Sequence, residues 1–513
     1  MKPLLPSFLT QVSRLARFAG RGAGTAPCHP LDRPLVRLGP HDALSANDCE
    51  EGIVIMGATG SGKTTGSGAT ILRSYLQAGF GGLVLCAKPG EYEFVRALAR
   101  EAGREIIRFA PEEARWRFNP LSYEVARSTR GAGIVTNVVA LLLEALEAGS
   151  RGGGNHRDDA YFRDALIELL TCAAHLAMLA RGTVQLGDLH RIIQSAPQSP
   201  ADLDPKTPWM GQSECFAMLL EAGKKARAAS EAAFADYSIT EDYFLKTFPG
   251  IHEKTRGIIV NSFTALTSPM LRSPMRELFC TDTTIDPTAC ERGAVIVVDL
   301  PVKLYGACGA FAQVLWKMAF QKAMEQRDIT KSPVPTFLWI DECQFFVSGY
   351  DTSFCSTARS ARVCTTMLTQ NLPGLYDALG RDKGGEHKAD ALLGNLTTKI
   401  WHANADRVTN QYAADTIAQT WTLKRSANQG TSSNMSQSAG DLNRDTQTNV
   451  NLSENSGSSV QEQLAHQVQP QEFTALRTGG PRNGLEVDGI VFKPGRVWNA
   501  TGTNYMRVTF QQK

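Results

Sequence analysis

Short apolar runs alternate along the chain with segments in which apolar residues recur at helical spacing. Strands that alternate with helices predict an α/β fold, in which a mostly parallel central sheet is flanked by helices on both faces. The runs predicted to be strands lie at residues 53–56, 82–86, 106–109, 294–299, 336–342, 362–370, 399–403, 485–492 and 505–510.

The middle of the chain has a different pattern. From about residue 123 to 277 the apolar residues keep helical spacing, as in Val135, Val138 and Leu142, and the more polar stretch 182–250 has no strand signal. We therefore predict an inserted all-α domain over residues 182–250. It divides the α/β domain into residues 51–181 and 251–513.

Two further segments depart from the α/β pattern. Residues 1–22 carry four basic residues and no acidic one, and their apolar residues fall near helical spacing. This pattern predicts a basic amphipathic helix on a membrane or a partner, or a helix packed on the domain, within an N-terminal lead-in region of residues 1–50. Residues 426–470 are rich in Ser, Asn, Gln and Thr and have no aromatic residue, which predicts a flexible polar loop.

Composition limits the functional classes. A net charge of +2 on 513 residues provides no general basic field, so any contact with nucleic acid has to come from local clusters. The 11 cysteines are scattered without a CxxC pair, which fits a reducing cytosol rather than a disulfide framework or a zinc site. No run is long and apolar enough to cross a bilayer.

A glycine-rich loop between a predicted strand and a predicted helix carries the clearest chemistry. Glycines let backbone N–H groups turn toward phosphate oxygens, and the helix N-terminus adds partial positive charge. In such a P-loop Lys63 reaches the β- and γ-phosphates, and Thr64 offers its hydroxyl to Mg²⁺. The alternative is a glycine-rich turn without a ligand. The predicted nucleotide-binding residues are Gly57, Ala58, Thr59, Gly60, Ser61, Gly62, Lys63, Thr64 and Thr65.

An acid pair follows the apolar run at 336–340. Asp341 is predicted to hold a water on Mg²⁺, and Glu342 to orient and polarise the attacking water. Gln370 ends the next strand, and ligands of doubly wound sheets lie beyond the carboxyl ends of strands. We therefore predict that Gln370 senses the γ-phosphate, with an ordinary polar strand terminus as the alternative.

Two arginines lie between the acid pair and Gln370. Phosphoryl transfer leaves charge on equatorial oxygens, which an arginine from a neighbouring subunit often stabilises. Arg359 or Arg362 is the candidate, and a solvated arginine on a helix is the alternative for each.

Together these motifs resemble the coupling proteins of type IV secretion and conjugation systems, which are TraG/TraD-like members of the FtsK/HerA-type motor ATPases. The resemblance covers about residues 50–510, with Arg359 ahead of Gln370 at a spacing similar to that of the family's trans-acting arginine. Further matching segments are Phe118-Asn119-Pro120-Leu121, Lys254-Thr255-Arg256, Leu393-Gly394-Asn395, Thr398-Lys399-Ile400 and Gln471-Glu472-Phe473.

The resemblance implies a RecA-like P-loop NTPase that hydrolyses ATP with Mg²⁺ and uses Lys63, Glu342, Gln370 and Arg359 in catalysis. It also implies a homohexameric ring with a nucleotide between neighbouring subunits and DNA, single- or double-stranded, in the central pore. The implied partners are the relaxosome or secretion-system subunits.

The sequence also departs from this family. Members usually begin with two transmembrane helices, which are not found here, and Cys86-Ala87-Lys88-Pro89-Gly90-Glu91 matches the family's Asp-x-Lys-Gly-Glu turn only loosely. We therefore expect a cytoplasmic protein, peripheral at the inner face of the cell membrane, with membrane contact through partners or the N-terminal segment. Two other functions stay open: a nucleotide-switched assembly scaffold for a secretion complex, and a HerA-like DNA-processing motor.

Overall fold

The computed structural model describes residues 31–113, 115–127, 134–150, 160–380, 383–436 and 449–512. The predicted N-terminal amphipathic helix, residues 1–22, lies outside the described residues. In chain order the strands are β1 (Pro34–Arg37), β2 (Ala43–Ser45), β3 (Ile53–Met56), β4 (Gly81–Leu85), β5 (Ile107–Phe109), β6 (Val295–Val298), β7 (Thr336–Ile340), β8 (Val363–Thr369), β9 (Thr398–Trp401), β10 (Gln419–Ser436), β11 (Asn449–His466), β12 (Glu486–Phe492) and β13 (Tyr505–Gln511).

Helices connect these strands. In chain order they are α1 (Ala46–Glu50), α2 (Ala69–Gln77), α3 (Glu91–Glu101), α4 (Pro120–Arg127), α5 (Ile134–Gly149), α6 (Ala160–Arg181), α7 (Leu186–Ser195), α8 (Trp209–Gln212), α9 (Glu214–Ala229), α10 (Glu231–Asp242), α11 (Phe248–Gly250), α12 (Glu253–Met270), α13 (Met275–Phe279), α14 (Val302–Gln326), α15 (Gly349–Thr357), α16 (Leu372–Leu379), α17 (Lys383–Asn395) and α18 (Arg407–Ile417).

A nine-stranded sheet forms the centre of the protein, in the order β13-β12-β9-β3-β8-β7-β4-β6-β5. The seven strands from β9 to β5 are parallel, whereas β12 pairs antiparallel with both β9 and β13. All nine are at predicted strand positions. The predicted α/β fold with a mostly parallel central sheet flanked by helices is confirmed.

Both faces of the sheet are covered, which explains why its central strands are nearly continuous apolar runs. Alternate residues of a strand point to opposite faces. On β3, Val54 belongs to the same apolar core as Trp316 of α14, and Ile55 belongs to the opposite core with Leu72 of α2. The sheet therefore separates two apolar layers and holds the strand ends in fixed positions.

The described residues between β5 and β6 contain ten α-helices and no strand. Their apolar faces join the core on one side of the sheet. The boundaries of an inserted domain at residues 182 and 250 stay a prediction. Among the residues that the structure describes, no single helix has the length and apolar content to cross a bilayer, although the bent pair Tyr161–Arg181 and Leu186–Ser195 meets that test when taken together.

The polar segment after α18 contains strands where a flexible polar loop is predicted over 426–470. Residues 437–448 of that loop lie outside the described residues, and its flexibility stays a prediction. Strands β10 and β11 form an antiparallel hairpin, with Gln419 opposite His466 and Ser436 opposite Asn449. An antiparallel ladder pairs backbone N–H and C=O groups whatever the side chains are, so a polar composition does not prevent pairing. The low apolar content that predicted a loop was therefore a poor guide to the backbone.

A buried ion pair joins α14 to α15. The Lys317 ammonium contacts the Asp351 carboxylate and donates to the Phe346 carbonyl at 2.8 Å, and both side chains are completely buried. Asp351 also accepts from the backbone N–H of Ser348, the N-cap residue of α15, at 2.7 Å and so completes a capping box. These contacts fix the segment that follows Glu342.

Replacing one partner of this pair should destabilise the fold. We expect Lys317→Met to lower stability by about 3–5 kcal/mol, because it leaves a buried carboxylate without its cation. Thermal unfolding would show this as a lower midpoint. Lys331→Met is the matched control, since its pair with Asp328 leaves the lysine side chain 85% exposed, and a similar midpoint shift in both variants would contradict the expectation.

Candidate nucleotide-binding site

Four neighbouring parallel strands, β3, β8, β7 and β4, end at the same edge of the sheet. The loop 57–63 follows β3, and the acid pair follows β7. Gln370 follows β8, which lies between them. The sheet order therefore brings together residues that are as much as 307 positions apart in the sequence, from Lys63 to Gln370.

The glycine loop is anchored to the neighbouring strand ends. The Gly57 N–H donates to the Thr369 carbonyl at 3.3 Å, and the Ala58 N–H donates to the Ala403 carbonyl at 3.0 Å. Gly60 and Gly62 have φ angles of 76° and 85°, in the left-handed region that favours glycine. This backbone is the turn that a P-loop needs.

A wide helical turn, Thr64–Gly68, leads from the loop into α2. Lys63 directly precedes it and is buried. Ser61 Oγ is buried without a hydrogen-bond partner, and the Thr65 hydroxyl contacts the Gln512 amide near the end of the chain. A hydroxyl without a partner inside the loop is compatible with a polar ligand there.

Thr64 and Asp341 offer oxygen atoms side by side. Thr64 Oγ1 donates to Asp341 Oδ2 at 2.8 Å, and Asp341 Oδ1 accepts from the Glu342 backbone N–H at 2.8 Å. Burial raises the pKa of Asp341, although the positive charge of Lys63 opposes the shift. Hydroxyl and carboxylate oxygens are the donors that Mg²⁺ prefers, so this pair fits such an ion.

Glu342 is the most enclosed charged group of the site, with a fully buried side chain. Its backbone is left-handed, at φ 48° and ψ 53°. Oε1 accepts from Lys63 Nζ at 3.4 Å, from Gln370 Nε2 at 3.2 Å and from the Lys88 ammonium, and Oε2 accepts from Gln344 Nε2 at 2.8 Å. Burial alone would raise the pKa of Glu342, but these cations and donors outweigh it and lower the pKa to about 2.

Lys88 was not among the predicted site residues. It lies in the turn after β4, and its ammonium reaches Glu342 because β4 is the neighbour of β7. Burial would lower the pKa of Lys88, but the contact with Glu342 outweighs it and raises the pKa. The sequence signal that could have identified Lys88 is the turn at residues 86–91, which follows a buried strand.

Glu91, in the first turn of α3, lies close to the same site. Its Oε2 accepts from the Ala87 N–H at 2.6 Å, and its Oε1 is buried without a hydrogen-bond partner. Burial and the charge of Asp341 raise the pKa of Glu91 to about 8. A third carboxyl group therefore lies behind the acid pair.

His402 is a second residue that sequence reasoning missed. It follows β9 and is fully buried. Its Nδ1 lies 2.8 Å from the Asp488 carbonyl oxygen, which can only accept a hydrogen bond, so Nδ1 carries the ring proton. Nε2 is then an acceptor, and Ser67 Oγ donates to it at 2.7 Å. Burial lowers the pKa of His402 to about 4, so the ring is neutral near pH 7. It links the turn behind Lys63 to β12.

Arg359 and Arg362 lie at the opposite edge of the sheet. Arg362 precedes β8, whose seven residues span about 23 Å, and its carbonyl accepts from the Thr336 N–H at the start of β7. Arg359 pairs with Glu51 at 3.2 Å and has a side chain that is 63% exposed. The structure thus brings Lys63, Thr64, Asp341, Glu342 and Gln370 together and leaves Arg359 outside this group.

The parallel sheet and the P-loop geometry define a RecA-like P-loop fold. A family model described as "Type IV secretory system Conjugative DNA transfer" matches residues 35–478. The chain belongs to this conjugative DNA transfer family. No curated protein matches the sequence.

Solved structures support the fold. The unbound form of TrwB, a bacterial conjugative coupling protein, is 13% identical over 98% of this chain and 91% of its own, with a TM-score of 0.56. TrwB in complex with ADP and Mg²⁺ is 14% identical over 98% of this chain and 92% of its own, also with a TM-score of 0.56. TrwB with a non-hydrolysable GTP analogue is 13% identical, with the shares 98% and 92% and a TM-score of 0.55.

The two left-handed glycines should differ in their tolerance of a methyl group. A Cβ at Gly62 would lie 2.5 Å from Val487 Cγ2, whereas a Cβ at Gly60 meets no atom within 4 Å. We expect about 1–2 kcal/mol of backbone strain in either alanine variant and a further loss of about 1–3 kcal/mol in Gly62→Ala. Thermal midpoints measure the difference, and equal midpoints would show that Val487 moves aside freely.

Proposed function

We propose that this chain is an ATP-hydrolysing motor that couples DNA, or a DNA–protein substrate, to a type IV secretion machinery. The observation that carries the proposal is the meeting of Lys63, Thr64, Asp341, Glu342 and Gln370 at one edge of the sheet. The conjugative DNA transfer family supports the substrate class. The TrwB complex with ADP and Mg²⁺ supports the cofactors by analogy.

Each residue of the site has a role in this proposal. The backbone N–H groups of the loop and the ammonium of Lys63 hold the β- and γ-phosphates of ATP. Thr64 and Asp341 would hold Mg²⁺, directly or through water, and the ion would supply positive charge opposite the phosphates. Glu342 orients and polarises the attacking water, and Gln370 contacts the γ-phosphate side of the site.

The arginine role falls to Arg359, acting on the nucleotide of a neighbouring subunit. Its side chain is mostly exposed and at the edge of the sheet away from its own chain's loop. Arg362 is the weaker candidate, because its guanidinium donates to the Pro333 carbonyl at 2.7 Å. A head-to-tail ring joins opposite edges of successive subunits, which is the arrangement that the proposed homohexamer requires.

A central pore in such a ring holds DNA through contacts that do not depend on sequence, as a translocase needs. The relaxosome or the secretion-system subunits are the proposed partners. Any membrane contact is made through those partners or through the N-terminal segment. The protein itself acts at the cytoplasmic face.

ATP hydrolysis should depend on DNA, on Lys63 of the glycine loop and on Glu342 of the acid pair. We expect single-stranded DNA to raise the steady-state ATPase rate. Lys63→Ala should abolish hydrolysis together with ATP binding, and Glu342→Gln should keep binding while the rate falls about 10²–10⁴-fold, because the water loses its base. Phosphate release and fluorescent-nucleotide titration measure the two effects.

Glu105→Gln is the matched control for charge, since Glu105 is exposed and precedes β5 at the other edge of the sheet. Activity that responds neither to DNA nor to Lys63→Ala would contradict the proposed function. Loss of binding in Glu342→Gln would assign that residue to ligand binding instead.

A mixing experiment tests the role of Arg359. Lys63→Ala and Arg359→Ala subunits should each be inactive alone, with Arg359→Ala reduced by at least about 10³-fold. Co-assembled rings of the two variants should regain activity. With random mixing, about one interface in four has both an intact loop from one subunit and an intact arginine from its neighbour, because the interface is head-to-tail.

Two different affinity tags on the co-expressed variants select mixed rings, and their ATPase rate is compared with that of each variant alone. Rings that contain both variants and stay inactive would contradict a role in trans. An Arg359→Ala protein with normal activity would remove Arg359 from the mechanism altogether.

A further inference from the structure

Lys88 lies across the site from the glycine loop, and its ammonium contacts Oε1 of the buried Glu342. We propose that Lys88 has two alternative anionic partners, Glu342 and the γ-phosphate of a bound nucleoside triphosphate. In this role, which rests on the proposed function, it is a specificity residue that distinguishes a triphosphate from a diphosphate. Its move to the phosphate releases the carboxylate for the attacking water.

The hydrogen bonds crowd one oxygen of Glu342, Oε1, and favour such a release from it. Oε1 accepts from Lys63, Lys88 and Gln370, and Oε2 accepts from Gln344. A carboxylate oxygen has two lone pairs, so three donors already exceed the capacity of Oε1. A residue that polarises water has to direct a free lone pair at it. Oε1 therefore has no lone pair for water until two of its donors leave: Lys63, which turns to the phosphates in the proposed function, and then Lys88 or Gln370.

Lys88 has the most freedom of the three donors on Oε1. Its side chain is 42% exposed, whereas that of Lys63 is almost entirely buried. Gln370 is held by its own backbone, since its carbonyl accepts from Asn404 Nδ2 at 2.8 Å. A lysine ammonium is a compact point charge on a flexible stem, which suits exchange between a carboxylate and a phosphate.

The backbone that carries Lys88 is fixed, so only its side chain has to move. The Gln313 side chain accepts from the Cys86 N–H at 2.7 Å and donates to the Cys86 carbonyl at 2.8 Å, as a neighbouring strand would. The next residue is held on both sides, because the Ala87 N–H donates to Glu91 and its carbonyl accepts from the Lys303 N–H at 3.1 Å. These contacts keep Lys88 opposite Glu342.

The proposal predicts a nucleotide-specific loss of affinity when the charge of Lys88 is removed. Lys88→Met keeps the apolar stem and should weaken binding of a non-hydrolysable ATP analogue about tenfold or more, while ADP affinity stays within about twofold. Lys88→Arg keeps the charge and should restore most of the preference. Fluorescent analogues of both nucleotides, titrated with Mg²⁺ present, give the two dissociation constants for the chain of 513 residues.

Lys303→Met is the matched control. Lys303 is exposed at the same edge of the sheet, and its ammonium lies over the Phe345 ring at 5.0 Å, so its loss should change neither affinity. Equal weakening of both nucleotides by Lys88→Met would overturn the proposal in favour of general phosphate binding. Unchanged affinities would overturn it in favour of Glu342 as the only partner.

The thermal midpoint of Lys88→Met shows whether the variant is folded. If it is not, a Lys88→Arg protein that loses the ATP preference would itself overturn the proposal, and one that keeps it would support it. The proposed function fails by a different result, namely a wild-type chain that does not hydrolyse ATP or a Lys63→Ala chain that binds it normally. The ratio of ATP to ADP affinity still tests Lys88 in that case.

Discussion

The parallel register of β3, β8, β7 and β4 is the constraint on which the site depends. These strands are buried on both faces, so a slip of one residue would place apolar side chains of two cores on the wrong sides. The same register fixes where each strand ends. The strand ends and the glycine loop anchored to them therefore hold Lys63, Glu342 and Gln370 within hydrogen-bond distance, and Asp341 beside Thr64.

That register also determines the electrostatics. Glu342 is fully buried, which would be costly for an isolated carboxylate. Two lysines and the Gln370 amide from other strand ends, together with the Gln344 amide of its own turn, surround it and keep it ionised. Asp341, one residue earlier, has fewer donors, and burial raises its pKa. Two adjacent carboxylates thus differ in proton affinity because different groups face them.

Much of this arrangement could be predicted from the sequence, because its signals are local. A strand buried on both faces is a short apolar run, and a loop that turns around phosphate needs glycines at fixed spacing. The runs at 53–56 and 336–340 therefore identified both the strands and the residues that end them. The P-loop and acid pair could be placed together only by assuming a shared sheet edge, and the sheet order in the structure provides that edge.

The remaining features depend on which strands are neighbours, and this is not encoded locally. Lys88 reaches Glu342 only because β4 lies beside β7, and His402 meets Ser67 and the Asp488 carbonyl only because β9 lies between β3 and β12. The hairpin β10–β11 was missed for another reason. Its backbone ladder pairs groups that every residue has, so its polar side chains gave no sign of strands.

The distance between Arg359 and Lys63 has a consequence for how the protein is controlled. If the two act on one nucleotide, every subunit carries half of two separate centres on opposite edges of a rigid sheet. An isolated subunit then has no complete centre, and an open row always has one fewer than its number of subunits. Dilution alone would silence the enzyme and assembly would switch it on, without a dedicated inhibitor.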